Sequence, residues 1–147
     1  MARLLAVGAI LWPVLLGTAV AARQSGNWPP WTFGVYAVAS RICHQRPDRS
    51  FFTGGVQWPV CGRCSGLYAA APIGALLALR RRRLGEDVSA LAVVGYASVP
   101  TIVTLAVEWP NLAAVSSEMR AIAALPLGFA VAWVLVRTTM PSPVRGA

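Results

Sequence analysis

The chain has no lysine, a single histidine, three cysteines and only five acidic residues among 147. Charged residues amount to 12%, about half the share a water-soluble globular domain carries, so a soluble fold class is excluded. The scarcity of cysteine excludes a small secreted fold held by a disulfide framework. Three is also an odd number, so at least one thiol is free, bound to metal, or paired with another chain. Several catalytic signatures are missing as well: a phosphate-binding glycine loop, G-x-S-x-G and H-E-x-x-H. No segment alternates strand with helix, which removes a thioredoxin-like fold as the setting for the one C-x-x-C pair.

What the chain does have is hydrocarbon-soluble sequence, 56% of it hydrophobic. It reads as an all-α integral membrane bundle of about four transmembrane helices. Residues 4–22, 64–79, 88–107 and 121–136 carry no charge, and about 20 such residues cross the hydrocarbon core. The first stretch has a rival reading as a secretory signal, with its basic start and small-residue end. Its apolar run exceeds the usual length for that role, and a retained span is expected. A short interfacial helix is expected after the Trp28-Pro29-Pro30-Trp31 break, because Phe33, Tyr36, Ala37 and Ser40 recur at helical spacing. It leads into a loop at 43–64 interrupted by Pro47, Gly54, Gly55 and Pro59. The last residues, 138–147, hold two prolines and a glycine and read as a mobile tail.

All thirteen basic residues are arginine, and the formal charge is +8. They punctuate apolar runs instead of covering a polar face, so topology accounts for them and no nucleic-acid partner is expected. Arg80-Arg81-Arg82-Arg83 beside a span marks the cytoplasmic side. Counting from it places a multi-pass protein in the cell membrane with both termini inside. The Cys/His loop and the turn before Arg120 then lie outside.

That loop holds every cysteine and the histidine. Cys61 and Cys64 are spaced to share a metal or to form a disulfide. Cys43 and His44 are the candidates to complete a site for zinc or another transition-metal ion. Three readings stay open: a metal site, a redox-active or structural thiol pair, and plain packing. His44 is either a ligand or a proton acceptor. Arg46, Arg49, Arg63 and Arg120 fall on the same predicted side, and guanidinium forks match phosphate and carboxylate. They make an anion or lipid-phosphate site unless Asp48, Glu108 and Glu118 pair with them. Partners expected are the bilayer, an anionic lipid or small anion, and a second copy or another membrane protein reached through the odd cysteine.

At these residues the sequence resembles the membrane-protein family known as domain of unknown function 2085. The shared pattern runs through Cys43, His44, Gln45, Pro47, Arg49, Ser50 and Phe51, then Gln57, Pro59, Val60, Cys61, Arg63, Cys64, Gly66 and Tyr68. A weaker second segment is Arg120 followed by Leu125-Pro126-Leu127-Gly128. Where relatives tend to carry Thr-Gly, this chain has Ala123-Ala124. The resemblance implies a multi-span helical membrane protein in which the cysteine, histidine and arginine motif acts as one unit. It supplies no reaction.

Overall fold

The computed structural model describes residues 1–26, 28–80, 89–110 and 112–140. Among these, four helices are long and apolar enough to cross a membrane: α1 (Ala2–Gln24), α3 (Gly62–Arg80), α4 (Ala90–Glu108) and α5 (Ser117–Thr138). The expected all-α bundle is therefore present. A shorter helix, α2 (Pro30–Ser40), follows α1 and opens on a proline, whose fixed φ suits a first helical turn.

The helices run past the charge-free stretches that announced them. Helix α5 begins at Ser117 because the Ser116 hydroxyl accepts a hydrogen bond from the Met119 N–H. Arg120 thus lies inside the helix, not ahead of it. Arg63 likewise sits in the first turn of α3. Charge counting finds the stretch that tolerates hydrocarbon, whereas capping decides where the helix starts.

The loop expected at 43–64 contains regular structure that the proline and glycine count did not reveal. After a 3-10 turn at Pro47–Arg49 come two antiparallel strands, β1 (Ser50–Thr53) and β2 (Val56–Cys61). Gly54 and Gly55, both at positive φ, form the two-residue turn between them. Two adjacent glycines between aromatic and β-branched runs are a hairpin signal. Pro59 is tolerated because the ladder is irregular there. Ser50 pairs with Cys61 and Phe52 with Gln57, so β2 carries extra residues opposite one step of β1.

Helices α3 and α5 form the main contact of the bundle. On α3 the residues Gly62, Gly66, Ala70, Gly74 and Ala78 repeat every four positions, and all are buried. On α5 the matching stripe is Arg120, Ala124, Gly128, Ala132 and Val136. Small residues let two backbones approach closely, which is the main source of helix association where lipid replaces water. A Cβ placed at Gly66 would overlap the Ala121 carbonyl oxygen, and one at Gly128 would overlap that of Leu67. Helix α4 is held less tightly. Thr101 is its one buried residue, and its hydroxyl donates to the Ala123 carbonyl at 2.9 Å.

Side-chain bonds gather one set of ends together. Gln24 at the end of α1 donates to the Thr53 carbonyl of the hairpin at 2.9 Å. The start of α3, the end of α4 and the start of α5 meet through Arg63, Glu108 and Arg120. Arg80 closes the opposite end of α3, whereas Arg81 to Arg83, the polar turn at 84–87 and the tail from 141 lie outside the described residues.

Replacing Gly66 by alanine should separate α3 from α5, because the obstruction is backbone and cannot rotate away. We expect a loss of about 1–3 kcal/mol, the usual cost of overpacking, measured by unfolding in detergent. Gly8→Ala, which meets nothing within 4 Å, should leave the midpoint unchanged.

Candidate metal centre

Three separate pieces of backbone deliver the three thiols. Cys43 follows the last turn of α2, where its N–H donates to the Ala39 carbonyl at 2.9 Å. Cys61 ends β2, and Cys64 lies in the first turn of α3. Their sulfurs all lie within 4.8 Å of one another. Cys43 is buried in a cluster with Leu16, Ala19, Val35, Ala39 and Val60, and Trp12, Tyr36 and Tyr68 pack against that cluster. The Cys61 N–H donates to the Cys43 Sγ at 3.1 Å, which ties the end of α2 to the hairpin.

A belt of amides fixes the segment between these points. Gln45 has a φ of +49°, uncommon for a residue with a side chain, and its own amide holds it there. Gln45 Nε2 donates to the carbonyls of Tyr36 and Pro59 at 2.9 and 2.8 Å. Gln57 Nε2 returns a bond to the Gln45 carbonyl at 2.6 Å, and the Tyr36 hydroxyl donates to the Gln57 carbonyl at 2.6 Å. The Ser50 hydroxyl donates to the Arg46 carbonyl at 2.8 Å. Gln45, Gln57 and Ser50 stood in the motif as letters without roles. Their role is to fold the chain back so that Cys43 meets Cys61.

His44 is exposed and falls outside the sulfur group. Its neighbour Cys43 points inward while it points away, as adjacent residues on an extended stretch do. Arg46 is exposed and Arg49 half-buried, and both pair with Asp48, at 3.1 and 3.6 Å. The hydrogen bond from Arg46 holds the Asp48 carboxyl below its ordinary range.

Arg63 and Arg120 are placed differently, because Glu108 takes both. Arg63 Nη2 donates to Glu108 Oε2 at 2.8 Å and to the Thr104 hydroxyl at 3.1 Å. Arg120 Nε donates to the other carboxylate oxygen, and Arg120 Nη1 reaches the Asp48 carbonyl at 3.5 Å. The three side chains are only 16%, 7% and 10% exposed, in the order Arg63, Glu108, Arg120. Glu108 entered the sequence reading only as a possible counter-charge. The structure makes it the link between α3, α4 and α5.

The environment of Cys61 favours thiolate. Its pKa falls from an ordinary 9.0 to about 5, chiefly through the hydrogen bond from the Cys64 thiol. The Cys64 and Arg63 N–H groups at the start of α3 and the Cys43 thiol add to this, against the cost of burial. A thiolate flanked by two further sulfurs is a soft donor set, suited to zinc, copper(I) or an iron–sulfur group.

A family model described as Predicted membrane protein (DUF2085) matches residues 43–134. Among curated proteins, the chain is similar to an uncharacterized protein of Methanocaldococcus jannaschii, 43% identical over 53 residues. It is also similar to an uncharacterized protein of Methanothermobacter thermautotrophicus, 50% identical over 30 residues. These stretches are 36% and 20% of this chain, and the chain spans only 34% and 27% of the length of those relatives. No solved structure matches.

Glu108→Gln leaves two buried guanidiniums sharing no negative charge and should cost about 3 kcal/mol or more, read as a lower unfolding midpoint. Thr104→Val, which removes one neutral acceptor, should cost about 1 kcal/mol. In metal-free protein, alkylation of Cys61 should be half-maximal near pH 5, so the rate is level through neutrality and falls only in acid. Cys64→Ala, lacking the donor, should move the half-point up toward 9. A half-point near 9 in both proteins would contradict this account.

Proposed function

We propose that this chain, which belongs to the DUF2085 family of predicted membrane proteins, binds one soft transition-metal ion on Cys43, Cys61 and Cys64, zinc being the first candidate. The observation carrying this reading is the mutual approach of all three sulfurs within 4.8 Å. Sulfurs held on a tetrahedral zinc at 2.3 Å lie about 3.8 Å apart, so closure onto an ion needs under about 1 Å of movement. Two sulfurs would suffice for a disulfide. The third is brought in by the separate amide belt of Gln45 and Gln57, and a three-way meeting suits a shared cation best.

With three protein ligands the ion keeps an exchangeable fourth position, for water or for a substrate donor. His44 faces away from the sulfurs, so an external donor fits that position better than the imidazole. In this reading the site faces the outside of the cell membrane, since the arginine run belongs to the opposite end of α3. The chemistry available is Lewis-acid polarisation or metal transfer at the membrane surface.

A thiol-redox pair is the second reading, and the depressed Cys61 pKa with Cys64 as its hydrogen-bonding neighbour favours it. The anion reading is not carried to Arg46, Arg49, Arg63 and Arg120, because each already faces a carboxylate.

Elemental analysis of the purified protein decides between them. The expected result is about one zinc, iron or copper per chain, lost in Cys43→Ser and Cys61→Ser together with part of the thermal stability. Absence of all three metals, with Cys61→Ser as stable as the parent, would overturn the metal reading. A Cys61–Cys64 disulfide found by differential alkylation in the same sample would install the redox one.

A further inference from the structure

Among the described residues, a half-buried cation with no carboxylate partner lies outside the arginine motif. Arg23, in the last turn of α1, is half-buried and forms no ion pair with any described acidic residue. Its guanidinium is instead enclosed by aromatic faces, with ring centroids at 3.7 Å for Tyr36, 4.8 Å for Trp28 and 4.8 Å for Phe33. Its Nε donates to the Thr32 hydroxyl at 3.2 Å. Thr32 is fully buried and is itself anchored on the Pro29 carbonyl at 2.8 Å.

This arrangement fixes the plane of the fork. Stacking and the Thr32 bond hold the guanidinium without neutralising it, which removes most of the ordering cost of recruiting an anion. Arg23 lines a cavity of about 340 Å³ whose wall also includes Trp28, Tyr36, Gln45, Gln57 and Trp58. The wall is mixed in character, with a cation, two amide side chains and two indoles. The Trp58 indole is held from behind by a 2.8 Å bond to the Thr53 hydroxyl.

The position along the chain identifies the occupant. Arg23 ends a membrane-crossing helix, and Trp28, Trp31 and Phe33 beside it are 53%, 44% and 53% exposed. Exposed tryptophans next to the end of a span sit at headgroup depth. An anion meeting Arg23 there, with apolar surface continuing down α1, is the phosphate of a membrane lipid.

We propose that the cavity between the end of α1, the start of α2 and the hairpin binds the phosphodiester of an anionic phospholipid. The phosphate sits on the Arg23 fork, and the rest of the headgroup lies between Trp28 and Trp58. The four arginines of the motif are each engaged by a carboxylate, two on Asp48 and two on Glu108, whereas Arg23 pairs with none among the described residues. This site is separate from the three cysteines and does not depend on a metal there.

The test uses full-length protein in detergent and short-chain phosphatidylglycerol, with phosphatidylcholine of equal chain length as the comparison. Binding is followed by tryptophan fluorescence and by native mass spectrometry. The parent should prefer phosphatidylglycerol, and Arg23→Gln should weaken that binding about tenfold, the value of one charge-assisted hydrogen-bonded contact. Trp58→Leu should weaken it to a lesser degree. Equal affinity for the two lipids in the parent overturns the proposal without any variant, so a misfolded Arg23→Gln does not shelter it. Unchanged affinity in a folded Arg23→Gln overturns it as well. Glycerol phosphate without acyl chains should compete poorly, and competition at equal concentration would assign the site to a soluble phosphate and overturn the lipid assignment.

Discussion

One carboxylate organises the end of the molecule where the three cysteines meet. Glu108 closes α4 and accepts from Arg63 in the first turn of α3 and from Arg120 in the first turn of α5. Three helix ends that share no covalent neighbour are thereby held at one level. The cost of burying such a triad offsets most of its Coulomb energy, so its contribution is better understood as positional. A shift of α3 along α5 by one turn would still match small residue to small residue. It would also strand a buried guanidinium, and that penalty selects the register. Because Cys64 is one residue from Arg63, the register that satisfies Glu108 is also the register that sets the height of the sulfur cluster.

Above that level the constraint changes from ionic to amide. The chain must leave α2, make a tight excursion and return to α3 with Cys43 and Cys61 side by side. It does so through reciprocal bonds between Gln45 and Gln57 and through the hydroxyls of Tyr36 and Ser50. The hairpin itself is a short two-stranded ladder, and such a ladder is marginal without outside support. Its support comes from the amide belt and from Gln24 of α1. The left-handed backbone of Gln45 is sustained in the same way, by bonds its side chain makes to the element before it and the element after it.

Much of this was legible in the residues, for identifiable reasons. Spans announce themselves because hydrocarbon excludes charge over a fixed thickness, a one-dimensional constraint that a linear sequence records directly. The cysteines announce themselves by rarity. The hairpin was obscured because proline and glycine were counted as interruptions, although Gly54-Gly55 between Ser50–Thr53 and Val56–Cys61 is a turn signal in its own right. The α3–α5 stripe was equally present, as Gly62, Gly66, Ala70, Gly74 and Ala78 at intervals of four. It went unread because hydropathy scales weight size and polarity, and a glycine's value here is the absence of a side chain. The role of Glu108 is the least local feature of all. Nothing within its own segment says that its two partners come from 45 residues before it and 12 after it.

The arginines show why counting like charges is a poor guide to where a charge remains available. Three of them travel with the cysteine motif and Arg120 falls on the same predicted side, which suggests a shared anion site. Folding brings each to an acid, two on Asp48 and two on Glu108, so their common feature is a guanidinium already engaged by a carboxylate. Arg23 stands twenty residues from the nearest cysteine and has no motif around it. Aromatic faces surround it where a carboxylate would otherwise sit, and these faces attract a cation without cancelling its net charge. The same tryptophans that mark headgroup depth therefore also preserve a positive centre there. This end of the bundle thus separates two kinds of group: a soft donor cluster of sulfurs set by buried ion pairing, and a cationic centre left without a carboxylate by aromatic packing.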